Sequence, residues 1–297
     1  MTFPPRADPW PELYSVPSVS THVSIARPPS QPFEDSDVLV LSSRSTLPDS
    51  QTVRNNLLYL DLRLSLPVGP TTCKINWAFA GIRYTVPLEE QSEDGELALA
   101  RYRWEHIIDS HGNGEPPDEG TLVRRIKEDG SEVAIEIGVG LDPETGKAGP
   151  YEEFWKDEEL LAGTPFAFLM SGPSPCVSTE FMAVVGIHAI TLSQGRRGGY
   201  IPDSSSALEE LMWTFDAARL RGRKARDRFS WETVFSTGQR SLESQLVKFV
   251  EGLSSRAREG NELWKRGEVV DIKLGDGNKH EELVRKWTVW DAGYTSI

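Results

Sequence analysis

The sequence predicts a mainly β protein made of two related antiparallel barrels, and three observations favour this fold. Leucine occupies every second position from Leu58 to Leu66, which is the period of a half-buried β-strand. Short apolar runs before and after it are separated by turn-forming pairs, which is typical of sandwiches and barrels. A second series of such runs begins near Gly163. The turn pairs in the first half include Asp94-Gly95, Asn113-Gly114 and Asp129-Gly130.

Two tryptophan motifs recur in the two halves and indicate a tandem duplication. Residues 77–83 (WAFAGIR) and residues 213–219 (WTFDAAR) share a Trp-x-Phe pattern, and residues 103–109 and 286–291 each contain a Trp followed by an Asp. A Trp and a Phe two positions apart lie on the same side of a strand. We therefore expect each pair to close one end of a barrel, a position suited to large rigid side chains.

The change of composition along the chain predicts a tail, a linker and an insertion in addition to the barrels. The N-terminal segment is rich in proline and is expected to be flexible. Residues 219–228 (RLRGRKARDR) form a basic run, and apolar residues then recur at helical spacing from Leu242 to Leu253. The expected boundaries are 1–17 for the tail, 18–150 for the first barrel, 151–162 for a linker, 163–297 for the second barrel and 217–261 for a helical and basic insertion within it.

Charge and cysteine content limit the classes of partner and compartment. The formal net charge is -13 at pH 7, which disfavours nonspecific binding to nucleic acid and to anionic membranes. Two cysteines about a hundred residues apart are typical of a reducing compartment. The longest apolar run, residues 181–192, is too short to span a bilayer. We expect a cytoplasmic protein, with the nucleus as a second location.

The segment from Asn76 to Gly81 (NWAFAG) resembles a fungal family of casein-kinase-interacting proteins of the Hri type. Four further segments match that family in the same order, at residues 104–110, 151–155, 184–195 and 287–290. The resemblance implies two lipocalin-like barrels in tandem and a protein that binds other proteins, a casein-type kinase among them. It implies no catalytic residues. The longer N-terminus and the expected insertion depart from the family pattern.

Two groups of residues are candidates for binding chemistry. His106, Asp109 and His111 offer ligand types that zinc or iron accepts, provided that a turn follows Asp109; alternatively, Asp109 caps that turn. His188 lies within an apolar run and could face a barrel cavity as a base, or be an ordinary core histidine. If a cavity exists, we expect it to be lined by Trp77, Phe79, Trp104, His188, Trp213 and Phe215; alternatively, these aromatic residues fill the interior.

The sequence favours binding over catalysis. It contains no phosphate-binding loop, no Gly-x-Ser-x-Gly elbow, no His-Glu-x-x-His motif and no Cys-x-x-Cys motif. We expect a noncatalytic protein-interaction module without a cofactor, in which the insertion and the tail serve as docking elements. The alternative hypothesis is a barrel that binds a small apolar molecule and isomerises, cyclises or dehydrates it in a fungal small-molecule pathway.

Overall fold

The structure is a computed structural model, and the described residues form a β protein with one helix. No helix within these residues is long and apolar enough to cross a membrane. The structure describes residues 16–45, 56–69, 73–86, 97–112, 118–126, 132–142, 147–171, 178–196, 213–225, 228–238, 240–274 and 283–296. Most of the predicted tail, residues 1–15, therefore lies outside the described residues.

The first half is a closed barrel of eight antiparallel strands in sequence order. Each strand pairs with the next along the chain, and the last strand pairs with the first, so that no strand edge is left unpaired. This confirms the predicted β-barrel fold. The strands are β1 (Ser18–Ala26), β2 (Ser36–Ser42), β3 (Asn56–Ser65), β4 (Ile75–Val86), β5 (Leu97–Asp109), β6 (Asp118–Ile126), β7 (Glu132–Asp142) and β8 (Lys147–Asp157).

The second half is a seven-stranded antiparallel sheet with the order β13-β12-β11-β10-β9-β15-β14. Its two outer strands do not pair within the described residues, so this half is an open sheet there and not the second closed barrel that the duplication predicted. The elements are β9 (Pro165–Met170), β10 (Thr179–Val185), β11 (His188–Arg196), β12 (Trp213–Ala225), β13 (Arg228–Ser236), α1 (Arg240–Arg258), β14 (Val269–Leu274) and β15 (Leu283–Tyr294).

Helix α1 explains why the second sheet does not need to close on itself. Its apolar stripe, which includes Leu246, Phe249 and Leu253, is buried against one face of the sheet. The opposite face packs on the first barrel. Both faces are therefore covered, and curling into a barrel would bury no further apolar surface.

Two of the expected boundaries are wrong. Residues 151–162 are not a linker, because residues up to Asp157 belong to β8, which pairs with both β7 and β1 and closes the first barrel. The basic run is not part of an insertion, because its residues 219–225 lie on β12 of the second sheet, where Arg219 is buried and Arg221 is exposed. The helix predicted from the apolar spacing between Leu242 and Leu253 is present as α1.

The main hydrophobic core lies between the barrel and the second sheet, not inside the barrel. Leu58, Leu60, Leu62 and Leu64 of β3 are fully buried in one cluster with apolar residues of the second half. Alternate residues of a strand face opposite sides, so the residues between these leucines face the barrel interior. The contributions of the second half to this cluster are Phe166, Phe168, Phe181, Ala183, Val185, Ile190, Leu192, Ala217 and Phe235.

Polar contacts also join the two halves. The Arg44 guanidinium lies 2.7 Å from Oδ1 of Asp291, and it lies over the ring of Phe166. On β5 and β11, the backbone N–H of Asp109 donates to Oε1 of Gln194 while Nε2 of Gln194 donates to the carbonyl of Asp109, both at 3.1 Å. These contacts fix the orientation of the halves around the shared core.

We predict that Phe168→Ala destabilises both halves together. The ring is completely buried in the shared core, and removing it leaves a cavity that costs about 3–5 kcal/mol. Urea denaturation followed by circular dichroism and by tryptophan fluorescence should give one coincident transition at lower urea. Leu161→Ala, at a site that is 76% exposed, is the control and should change stability little. Two separated transitions would contradict a shared core.

Candidate functional site

The first barrel contains a cavity of about 1500 Å³ that is open to solvent. Small residues are part of its lining, among them Ser20, Gly120, Ala134 and Gly138. Gly138 makes room for the Tyr151 side chain, since a Cβ there would lie 2.5 Å from the Tyr151 hydroxyl. We call this cavity and its lining the lumen. Its lining extends to residues 295 and 296, so the second half contributes to it.

An aromatic cluster forms one wall of the lumen. Trp77 and Phe79 of β4 are 4.5 Å apart between ring centroids, and Phe79 stacks on His106 of β5 at 4.2 Å. Tyr59 packs edge-on against Phe79. A bulge between β4 and β5 follows at Gly81, where a Cβ would lie only 1.8 Å from a carbonyl of β5, so glycine is required. The close approach of β5 brings His106 to the cluster.

His106, Asp109 and His111 meet around the carboxylate, but not as ligands of one ion. Nδ1 of His106 lies 2.7 Å from Asp109 Oδ2, while the Trp77 indole and the His111 backbone N–H donate to Oδ1. The His111 ring turns away, with Nε2 3.0 Å from the carbonyl of Asn76. Within the described residues no group of three or more side chains could hold a metal ion. The turn-capping alternative describes Asp109 correctly.

The hydrogen bonds at Asp109 determine its charge. Burial raises the pKa of this carboxyl, but donation from His106, from the His111 backbone and from Trp77 outweighs burial and lowers the pKa overall. The carboxylate is therefore ionised and fully engaged by protein donors. It positions His106, whose Nε2 faces the lumen 3.6 Å from Asp118 Oδ2.

A buried ion cluster lies beside the aromatic wall. Arg63 of β3 contacts Asp61 at 3.0 Å and Glu153 of β8 at 3.2 Å, and its guanidinium lies over the rings of Trp77 and Phe79. Burial raises the pKa of Asp61, although Arg63 opposes this effect. Burial also lowers the pKa of Arg63, but the two carboxylates more than offset it, so Arg63 stays charged.

Among the residues that the structure describes, Glu136 of β7 and Asp118 of β6 have no comparable cationic partner. Glu136 Oε1 accepts a hydrogen bond from the Tyr151 hydroxyl at 3.2 Å. Burial, reinforced by the charge of Glu153, raises the pKa of Glu136 to about 8. Burial likewise raises the pKa of Asp118. Both carboxyls line the lumen, where a positive group would be favoured.

The family described as Protein HRI1 matches residues 18–183, which include the whole barrel and the first strands of the second sheet. This match covers more than half of the chain. The chain belongs to the HRI1 family. A search of solved structures finds the crystal structure of the uncharacterized protein YLR301w from Saccharomyces cerevisiae, with a TM-score of 0.54 and 15% identity over 95% of this chain and 100% of that chain. This likeness shows a shared fold alone. No curated protein matches the sequence.

The aromatic and histidine residues that were expected around one cavity are divided between the lumen and the junction of the two halves. Trp77, Phe79 and Trp104 line the lumen. His188 does not, because its Nε2 contacts Glu158 at 2.8 Å, and burial lowers its pKa while Glu158 opposes this shift. Phe215 packs against the core between the halves. The side chain of Trp213 lies outside the described residues.

The sequence pattern of β3 includes the residues that form the polar part of the lumen. Tyr59, Asp61 and Arg63 alternate with the leucines of β3, and all three line the cavity. The alternation predicted a strand with one apolar and one polar face, but it did not show that the polar face would lie inside. Glu136 and Glu153 came from strands without such a signal.

We predict that Glu136→Gln makes the stability of the protein less sensitive to pH. The folded protein holds the Glu136 proton up to about pH 8, whereas the ordinary value is 4.5, so the free energy of unfolding falls as pH rises between these values. Glutamine removes this loss. At pH 9 the variant should be more stable than the wild type by about 1 kcal/mol or more, and the difference should shrink toward pH 5 in urea denaturation.

The control for this prediction is Glu152→Gln on the outer side of β8. Glu152 pairs with Arg125 at 2.9 Å, and that hydrogen bond lowers its pKa. Its replacement should bring no gain in stability as pH rises. If the stability of Glu136→Gln relative to the wild type decreased as pH rose from 5 to 9, the assignment of a raised pKa to Glu136 would be wrong.

Proposed function

We propose that the first barrel of this protein is a noncatalytic binding site for a small molecule, which it holds in the lumen. The observation that carries the proposal is a cavity of about 1500 Å³ inside a closed barrel, larger than most sites for drug-sized ligands. Barrels of eight strands hold one small ligand in several protein families. This develops the ligand-binding hypothesis from the sequence, without its catalytic part.

The lining of the lumen supports recognition of a molecule that carries polar groups. Buried polar atoms there have no hydrogen-bond partner among the described residues, although burial makes such partners valuable. Tyr59 and the side chain of His22 are nearly inaccessible, at 1% and 3% exposure. These atoms are the Tyr59 hydroxyl, Nε2 of His22, Nη1 of Arg27, Oε2 of Glu34, Nε2 of His106 and Nε1 of Trp155.

Binding fits the geometry better than acid-base catalysis does. The carboxylate of Asp109 accepts hydrogen bonds from three protein groups, and Asp61 and Glu153 share Arg63. Groups that are engaged in this way hold a defined shape and charge, but they have little freedom to exchange a proton with a ligand. Their arrangement favours a fixed, preorganised cavity.

The proposal predicts that filling the lumen abolishes ligand binding. Ala134 lines the cavity, and a phenylalanine there would occupy space that a ligand needs. Titration with the neutral fluorophore N-phenyl-1-naphthylamine should give saturable binding to the wild type and at least tenfold weaker binding to Ala134→Phe. Ala162→Phe makes the same change at an exposed turn outside the lumen and should bind as the wild type does. Equal binding to all three proteins would contradict a site in the lumen.

Protein binding is a second candidate function, supported by exposed cations near the end of β12 in the second sheet. Arg221 and Arg223 are exposed on one face of the strand, where Arg223 contacts Glu232 at 2.7 Å. Lys224 is exposed on the other face, beside Phe229 of β13, which is 45% exposed. Such a surface is complementary to an acidic partner. A casein-type kinase, implied by the family resemblance, is the partner that we propose to test, with the cytoplasm or nucleus as the place of the interaction.

For this second candidate, reversal of the three charges should abolish the interaction. A purified casein-type kinase should bind the Arg221→Glu, Arg223→Glu and Lys224→Glu triple variant at least tenfold more weakly than the wild type in surface plasmon resonance. Ala134→Phe is the control, because the lumen lies in the other half of the molecule. Unchanged affinity of the triple variant would exclude this surface, and no binding of the wild type would exclude this partner.

A further inference from the structure

We infer that the lumen selects an organic cation, with the ammonium group of an amine between Glu136 and Asp118 and its apolar part against Trp104. The inference rests on the proposed function, because it names the chemical class of the small molecule that the lumen holds. Four features of the lumen support it: the charge balance of the lining, two carboxyls that lack a cationic partner among the described residues, the aromatic ring beside them and an unpartnered hydroxyl nearby.

The lining of the lumen is strongly acidic. Its described residues include ten carboxyl side chains and four arginines, with no lysine among them. A cavity with low-dielectric walls concentrates this negative potential, which attracts cations and repels anions. The acidic residues are Glu34, Asp35, Asp61, Asp109, Asp118, Glu119, Glu136, Glu153, Asp157 and Glu158, and the arginines are Arg27, Arg63, Arg83 and Arg101.

Internal pairing neutralises only part of this acidity. Arg63 is shared by Asp61 and Glu153, so even this cluster keeps an excess negative charge. Arg101 contacts Glu119 at 2.6 Å. Asp109, Glu34 and Glu158 contact a histidine each, and the exposed Asp35 and Asp157 are hydrogen-bonded to serine hydroxyls. Within the described part of the lining, the two carboxyls that remain are those of Glu136 and Asp118.

For Glu136 the hydrogen bond that the structure describes comes from a neutral hydroxyl, that of Tyr151. For Asp118 the nearest ionisable nitrogen is Nε2 of His106, at 3.6 Å, which is beyond a normal hydrogen bond. Burial raises the pKa of both carboxyls, which means that the protein leaves their negative charge undercompensated. A bound ammonium group would supply the missing charge.

The strand pairing places these carboxyls beside an aromatic ring. Asp118 pairs with Trp104 across β5 and β6, so the carboxyl and the indole lie on neighbouring strands at the same level. Two residues along β6, Gly120 accommodates the Glu136 carboxyl, since a Cβ there would lie 2.6 Å from Oε1. An indole face next to carboxylates is a common arrangement for binding an organic cation.

The protein already places its own cations on this type of surface. The guanidinium of Arg83 lies 4.4 Å from the ring centroid of Tyr102, which is adjacent to Trp104 at 5.8 Å. Arg63 occupies the faces of Trp77 and Phe79 in the same way. The walls of the lumen therefore suit positively charged groups, and the face of Trp104 next to Asp118 is where an incoming cation would complete the pattern.

An independent observation points to a ligand at the same place. Tyr59 is 1% exposed, and its hydroxyl lines the lumen without a hydrogen-bond partner among the described residues. The negative charges of Asp61 and Asp118 contribute, after burial, to a raised pKa of this hydroxyl, so it lies in the field of the same acidic group. A neutral hydroxyl oxygen can accept a hydrogen bond from an ammonium group.

The charged groups that face Glu136 determine how pH acts on this site. They are Glu153 of β8, which raises its pKa, and Arg63 of β3 and Arg83 of β4, which lower it, together with the neutral Tyr151 hydroxyl. An ammonium ion between the carboxyls favours the ionised form of Glu136. Binding of the cation should therefore release a proton near neutral pH and become tighter as pH rises toward 8.

Three probes with the same indole ring test the inference. Tryptamine is a cation, 3-ethylindole is its neutral counterpart and indole-3-propionate is an anion. Isothermal titration calorimetry at pH 8.0 should show tryptamine binding at least tenfold more tightly than 3-ethylindole, and indole-3-propionate binding more weakly than either. The advantage of tryptamine should decrease at pH 6.0.

Variants of the two carboxyls assign the preference to them. In the Glu136→Gln and Asp118→Asn double variant, tryptamine should lose at least tenfold in affinity while 3-ethylindole binds as before. Glu152→Gln on the neighbouring strand neutralises a carboxyl that does not line the lumen, and it should leave all three affinities unchanged. Circular dichroism and thermal denaturation of each variant verify that the fold is intact.

The possible results separate the inference from the proposed function. Equal binding of the three probes, or tighter binding of the anion, overturns selection of a cation and leaves the lumen as a small-molecule site. Equal loss of tryptamine and 3-ethylindole in the double variant also overturns the assignment to these carboxyls. If none of the probes binds, nor the neutral fluorophore, both the inference and the proposed function are wrong.

Discussion

The packing of the β3 leucines against the second sheet is the interaction on which the rest of this structure depends. In a small isolated barrel the interior must serve as the hydrophobic core, and the side chains fill it. Here the apolar face of β3 points outward, and the second sheet covers it. The barrel is held together from outside, so its interior is free to be wide and polar.

A wide polar interior buries charged groups, which is electrostatically unfavourable. Ion pairs and hydrogen bonds within the lumen compensate this cost only in part. Buried charges are destabilising unless they are paired and hydrogen-bonded. Arg63 and its two carboxylates meet this requirement, as does Asp109 with its three donors. Glu136 does not, and its raised pKa records the uncompensated charge. Local unfavourable energy of this kind is common where a binding site has been preorganised for a ligand of opposite charge.

The sequence predicted the elements of the fold better than their surroundings. Alternating leucines predicted β3, and the helical spacing of apolar residues predicted α1. The Trp-Ala-Phe-Ala-Gly motif contains two residues of the aromatic wall and, in Gly81, the glycine at its bulge. A period of two shows that a strand has two different faces, but not what covers each face. For that reason the polar side of β3 was not recognised as the lumen, and His188 was expected in a cavity although it contacts Glu158 between the halves. The second barrel was expected because the sequence could not show that α1 covers the sheet.

Asp109 belongs to the lumen and to the junction of the two halves at once. Its carboxylate orients His106, and its backbone exchanges two hydrogen bonds with Gln194 on β11. A substitution at Asp109 is therefore expected to change the histidine side of the lumen and the seam between barrel and sheet together. Changes in the size or charge of the lumen that leave this seam intact are expected on walls far from Asp109.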